Sequence, residues 1–597
     1  MTQTTRITHW EQVPVDFSQV PAIEEADIQD FEKYTLERDA GRLAEDDFRR
    51  IRLMNGIYGI RGEERLHMVR IKSPGGILNA SRLRMLGRIS TEYSRGFGHI
   101  TTRQNFQFHM VRVEDVPQVM RMIASAGLTT REACGDTFRT IQADPLAGLI
   151  ADHAFDVTPW AQAATDHFLR NPITQRLPRK FKVNFSGNAD DLGQTAINCV
   201  GPVATKHPES GELGFRVYVG GGLGTTPFEA KLLEDFTSME WLIPTMEAIV
   251  RIFNVEGNRE NRNRARLKWL LANMGIKTFR EKVFAERQAV LAASGTNTGI
   301  PTRVLDAGAH LPIKVQATTP LPAPTGNERF DKWVSTNLIS TVDGKFAAYA
   351  TIPLGDVTTE QFFGLAGLLE DFGSPLETEP NIRITNRQNI LFRAISPDEI
   401  EKFYNRLNEV GFGNSNVHSA SDPVSCPGAD TCKIAVTQSR GLAKAIRAKL
   451  QEEDLAEAPV RINISGCSNS CGQHHLADIG FFGFERRHRT ESTSLPGYQM
   501  LIGGGLGDEG ARFGKKLGKP IAKMAPQATA DTIRMYDKER TAGESFRDWV
   551  DRTGTSKIKD ALQQYDNLPS QEANSDAYID WDETTKFQVE VGESECN

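Results

Sequence analysis

Four cysteines constrain this chain more than any other feature. Cys426 and Cys432 form a C-x5-C pair, Cys467 and Cys471 form a C-x3-C pair, and 34 residues separate the two. Four thiolates drawn together suit a soft metal or an iron–sulfur cluster. Zinc sites prefer tighter loops, so the five-residue gap argues for a larger body such as a cubane. Paired spacing also argues against four unrelated free thiols. Residues 460–465 read as a strand ending at Gly466, which puts the second pair on a turn just past a sheet.

Composition narrows the class. The chain has 597 residues, 25% charged and 39% hydrophobic, as expected of a soluble protein of roughly four domain-sized units. No apolar run reaches the length of a membrane helix, and residues 1–19 lack a basic stretch followed by an apolar core. Seven cysteines, four of them clustered, fit a reducing cytoplasm better than a disulfide scaffold. A net charge of −7 argues against nucleic acid as the main partner, but leaves room for a local basic site for a small anion.

The chain also repeats itself. Residues 384–393, Ile-Thr-Asn-Arg-Gln-Asn-Ile-Leu-Phe-Arg, copy the segment around Arg103 at an offset of 284. Gly220–Gly224 recurs as Gly503–Gly507 at 283, and Lys182-Val-Asn-Phe-Ser-Gly recurs as Arg461-Ile-Asn-Ile-Ser-Gly at 279. Three segments in one order at nearly one offset imply an internal duplication with a pseudo-twofold arrangement. A cofactor between the halves is the natural consequence. Only the second copy carries the cysteine pairs. In the first, a strand over 66–72, a helix over 81–95, a strand over 100–109 and a helix over 116–126 give a β-α-β-α order, hence an α+β fold. Helices are expected at 28–36 and 44–53.

The C-x5-C and Gly466-Cys467-Ser468-Asn469-Ser470-Cys471-Gly472 motifs resemble the sirohaem-dependent sulfite and nitrite reductases, and the resemblance extends over about residues 50–560. It implies that Cys426, Cys432, Cys467 and Cys471 hold a 4Fe–4S cluster and that Cys471 also bridges to the sirohaem iron, with Asn469 beside it. The implied fold is the internally duplicated one of that family, with ferredoxin-like half-domains and two mixed α/β cofactor-binding domains. On that pattern the chain divides into an N-terminal arm (1–55), a half-domain (56–128), a sirohaem-binding domain (129–294), a linker (295–330), a second half-domain (331–413), a domain carrying cluster and sirohaem (414–568) and an acidic surface tail (569–597). Cys596 is expected as an exposed thiol in that tail.

Sirohaem bears eight carboxylates and the substrate is an anion, so the site needs many cationic and amide donors. Matched motif by motif, the resemblance makes Arg70, Arg139, Lys180 and Lys182 the residues that bind substrate. It assigns Arg103, Gln107, His109 and Arg179 to sirohaem. Lys180 and Lys182 alternate onto one face if extended, as do Arg103, Gln107 and His109. The glycine loops, through Gly221 and Gly222, let backbone approach a cofactor. Arg387 and Arg393 of the second copy are read as serving folding or the cluster side.

The implied reaction is a six-electron reduction of sulfite to sulfide, with nitrite to ammonia as the alternative. Lys182, where nitrite reductases more often carry Asn, favours the more highly charged sulfite. The resemblance implies an assimilatory, cytoplasmic enzyme of cysteine biosynthesis. No flavin domain or second cluster is evident, so the electron donor is external, a ferredoxin or a flavoprotein subunit. A non-catalytic scaffold that inherited the fold would lack a ligand or an anion residue, and none is missing. Tyr58 and Cys134 resemble a pair that some ferredoxin-dependent sulfite reductases join covalently.

Overall fold

The computed structural model describes residues 15–294, 299–372, 381–488, 493–592 and 595. Cys596 lies outside them. The segments expected as helices at the start fold as helices Ala22–Asp39 and Glu45–Met54, longer in the first case than its sequence pattern suggests.

Two five-stranded sheets follow from the repeat. The first orders strands Ile57–Gly59, Leu66–Arg70, Phe106–Arg112, Phe97–Ile100 and Asp356–Thr358. The second orders Leu338–Ser340, Phe346–Ala350, Ile390–Ile395, Asn381–Ile384 and Ile77–Asn79. Each half therefore lends one edge strand to the other's sheet. The helices Ala80–Glu92 and Thr359–Phe372 cover these sheets and meet in one shared apolar core. At their crossing Gly87 has no room for a side chain, since a Cβ would lie 2.5 Å from the Phe363 ring.

In the strand Phe106–Arg112 the alternation has two buried faces. Phe106 and Phe108 pack at a tilt against Phe362, with ring centroids 5.0 and 6.2 Å apart. Gln107 and His109 lie on the opposite face and are buried too, so that face meets protein and cleft instead of solvent.

The larger domains also match. Strands Gln142–Ala143 and Asn184–Phe185 run parallel in the first, as do Val424–Ser425 and Ile462–Ser465 in the second. At the pseudo-twofold axis Gln194 and Gln473 exchange amide hydrogen bonds of 3.1 and 2.7 Å. Both adopt left-handed backbone, φ 61° and 60°.

The tail is not a free surface segment. Ala577, Tyr578 and Asp580 are buried. Gly592 N–H donates to the Lys433 carbonyl at 2.9 Å, and Glu595 is buried in ion pairs with Arg52 and Lys433. A carboxylate that finds two cations explains why an acidic stretch docks.

Candidate functional site

The cysteines occupy the carboxyl ends of parallel strands, where ligands gather in open α/β sheets. Cys426 directly follows Val424–Ser425, and Cys467 follows Ile462–Ser465 by two residues. Burial raises the thiol pKa of Cys426, Cys432 and Cys467, and the negative charge of Cys471 adds to it. For Cys432 the result is about 12. Three thiols with raised pKa beside a fourth are a donor set that needs a strongly positive centre to ionise. Among the described residues no three His, Cys, Asp or Glu side chains are placed to hold a single metal ion. Backbone N–H groups already point at sulfur: Gly466 N–H donates to Cys426 Sγ at 3.3 Å, and the Asn469 N–H reaches Cys467. The Asn469 side chain is itself exposed.

Cys471 is the exposed member of the four, and it faces the first half. Thr102 Oγ1 donates to its carbonyl at 2.9 Å. Nearby, Thr225 and Ser468 hydroxyls lie 3.2 Å apart, and a ring nitrogen of His475 is 3.0 Å from the Gly224 carbonyl. The cysteine loop is thus tied to the glycine loop and to the turn after the strand Phe97–Ile100.

That turn corrects one expectation. Arg103 is not on a strand: the segment 100–109 breaks at 101–105, where Thr101 N–H donates to Asn105 O at 2.9 Å and Gln104 takes φ 54°. Gln107 and His109 do share a strand face; Arg103 reaches the cleft from the turn. Its guanidinium donates to Asn184 Oδ1 at 2.8 Å, Asn198 Oδ1 at 3.0 Å and Thr140 O at 2.7 Å. Burial first, then the Arg139 charge, bring its pKa down to about 9.

Arg70, at the end of Leu66–Arg70, lies 5.3 Å from the Tyr58 ring centroid and donates to the Ala133 carbonyl at 3.4 Å. Gln107, with its amide oxygen turned inward, accepts from Arg70 Nε at 2.9 Å. Arg139 donates to the same Ala133 carbonyl at 3.1 Å and to Gly135 O at 2.9 Å. Tyr58 therefore flanks Arg70, and the buried Cys134 follows directly on the Ala133 whose carbonyl both arginines bond. Lys180 and Lys182 are half-buried on an extended segment held by isolated bridges at Phe181 and Val183, not in a continuous strand. Burial, then the charges of Arg103, Arg266 and Lys180, hold the Lys182 ammonium well below its ordinary pKa.

Among the described residues Arg70, Arg103, Lys182 and Arg266 form no carboxylate pair; the hydrogen bonds of the three arginines run to amide or carbonyl oxygens or, weakly, a sulfur. Both ring nitrogens of buried His109 lack a partner. Uncompensated buried cations and an orphaned imidazole fit a polycarboxylate cofactor, which would supply the missing acceptors. Arg179 differs, since it pairs with Asp136 at 3.3 Å, which also holds Arg262 at 2.6 Å.

Other residues escaped sequence reading. Arg266 donates to the Leu223 carbonyl at 2.9 Å, and Lys268 donates to Gly222 O at 3.3 Å and Leu223 O at 3.2 Å, so both brace the glycine loop. Gly221 must be bare, because a Cβ would lie 2.6 Å from Ala196 O. Asn184 stands inside the repeated Val-Asn-Phe-Ser segment, a signal that could have found it; Asn198 and Lys268 sit in no repeated motif.

Comparison with known proteins now bears on this geometry. Residues 134–290 and 418–569 match the nitrite and sulphite reductase 4Fe–4S domain, and residues 58–126 and 340–410 match the nitrite/sulfite reductase ferredoxin-like half domain. The chain is 30% identical over 507 residues to sulfite reductase (ferredoxin) 1 of Mycolicibacterium paratuberculosis, covering 83% of this chain and 84% of that one. It is 27% identical to the assimilatory ferredoxin-dependent nitrite reductase of Haloferax mediterranei, covering 85% of each. The solved structure of the Mycobacterium tuberculosis NirA protein superposes with a TM-score of 0.74 at 28% identity, over 87% of this chain and 92% of that one.

Proposed function

We propose that this chain, which belongs to the nitrite and sulfite reductase family, is a sulfite reductase that takes its electrons from a ferredoxin. It is an oxidoreductase whose cofactors are sirohaem and a 4Fe–4S cluster. When bound, these supply electrons one at a time and an iron site for the substrate's central atom. Cys426, Cys432, Cys467 and Cys471 would hold the cluster, and Arg103, Gln107 and His109 the sirohaem.

The chain's own part is to hold an oxyanion and move protons to it. On this reading Arg70, Arg139, Lys180 and Lys182 are the donors to that oxyanion, and such charge-assisted bonds strengthen as negative charge develops on a departing oxygen. Lysine is the proton donor of choice, because arginine holds its proton too tightly. A lysine with a depressed pKa gives its proton up readily, and Lys182 is held low by burial first and then by its cationic neighbours.

The observation that carries sulfite over nitrite is Lys182 beside Lys180 without a carboxylate partner for Lys182. A second ammonium favours the more highly charged ligand. Relatives named for ferredoxin exist on both sides of the substrate question, which supports the donor and leaves the substrate to the site. Purified holoenzyme with reduced ferredoxin should turn over sulfite with the higher kcat/KM; a higher value on nitrite overturns the reading. No helix among the described residues is long and apolar enough to cross a membrane.

A further inference from the structure

The duplication places a second copy of the anion site in the molecule. Arg103 corresponds to Arg387 and Lys182 to Arg461, at offsets of 284 and 279. Arg266 beside Gly222 corresponds to Arg547 beside Gly505, whose added Cβ atoms would lie 2.5 and 3.0 Å from guanidinium atoms. The second copy has kept these three cations.

It has changed around them. Cys199 is matched by Asp478 at an offset of 279, and Thr140 by Asp422 at 282. Arg70 pairs with Gln107 across the first sheet as Tyr349 pairs with Leu391 across the second. Asp478 accepts two guanidinium bonds from Arg461, at 2.9 and 3.1 Å, and its backbone N–H at 2.8 Å. Asp422 accepts from Asn389 at 2.7 Å, where Thr140 accepts from Asn105 at 3.1 Å. Tyr349 and Leu391 pack with Leu146, Leu149 and Ala347 into a small apolar plug.

We infer that Asp422 and Asp478 are internal counter-ions that close the second copy of the anion site. They stand where the first copy leaves its cations for an outside anion, and this rests on reading that first copy as the cofactor pocket. An incoming anion would meet like charge and find Arg461 already satisfied. Arg461 and Asp478 line an open cleft of about 710 Å³ together with Arg540, Glu544 and Arg547. A carboxylate removed from Asp478 can therefore be replaced from solvent.

The test uses full-length holoenzyme carrying Asp478→Ala, with formate as the probe and chloride as an ionic-strength control. Removing one partner of a partly buried pair is costly, so the thermal midpoint should fall by roughly a few degrees. Formate should restore most of the loss saturably, chloride should not, and the wild type should not respond. Arg461→Met with Asp478→Leu removes both charges and should recover the midpoint without formate. The sirohaem absorption should be unchanged throughout, which separates this claim from the cofactor reading. An unchanged midpoint in Asp478→Ala, formate no better than chloride, or a double variant as unstable as the single one each overturns the inference.

Discussion

At the scale of single residues, Lys182 carries the proposed preference for sulfite. Lys182→Asn should lower kcat/KM for sulfite more than for nitrite, because one charge matters more to the more highly charged ligand. Equal losses would mean that Lys182 holds the cofactor. Lys268 gives the pH dependence. Burial, then Arg266, lowers its pKa to about 7 from 10.5. Above the folded value the unfolded chain binds more protons than the folded one, so stability of cofactor-free protein should rise with pH between about 7 and 10.5. Lys268→Met should flatten that rise in urea titrations, and an unchanged slope would show that other groups set it. Tyr58, whose ring Arg70 overlies, and Cys134, which follows the Ala133 whose carbonyl Arg70 bonds, make a covalent prediction: with dioxygen as the two-electron oxidant that takes up the ring and thiol hydrogens, tryptic peptides carrying them should appear joined and lighter than their sum by two hydrogens. Complete alkylation of Cys134 in denatured protein would exclude the bond. The two cysteine pairs were legible from spacing, since a spacing encodes a loop, and their proposed role as cluster ligands came from the family resemblance. Asn198 was not, because its role is to accept from an arginine 95 residues away.

At the scale of elements, periodicity told strands from helices and failed at turns. The residues around Arg103 alternate well enough to pass for one continuous strand. The break comes from Gln104, which takes φ 54° and donates through its side chain to Ala143 O at 2.8 Å. Glutamine is no turn signal, so a tertiary hydrogen bond set the backbone there. Its repeat Gln388, φ 64°, donates likewise to Ser425 O at 2.8 Å. The glycine loop is as demanding. Gly221→Ala would press a methyl group against the Ala196 carbonyl, and the loop could not stay in place. The purified variant should retain helical circular dichroism but carry little sirohaem; full cofactor content would show that the loop has slack.

At the scale of the whole molecule, the repeat offsets made the duplication readable, whereas the docking of the tail depends on contacts that local composition does not encode. Burial raises the Glu595 carboxyl, but Arg52 and Lys433 outweigh it and hold its pKa below the ordinary value. Its contribution is thus present above the unfolded carboxylate pKa and is lost as pH falls through the lower folded one. Glu595→Gln should speed hydrogen exchange at the Gly592 amide, which bonds Lys433 O. Unchanged exchange there would mean that the rest of the tail suffices.

The exchange of edge strands also has a consequence for biosynthesis. The sheet begun at Ile57–Gly59 is completed by Asp356–Thr358. A nascent chain emerging from the ribosome cannot close its first sheet until some 300 further residues have been made. Until then the Phe97–Ile100 edge is open to pairing with any other strand, the hazard that unpaired edges carry. The two halves are therefore expected to mature together, late in translation, and neither should be recoverable as a stable product when expressed alone.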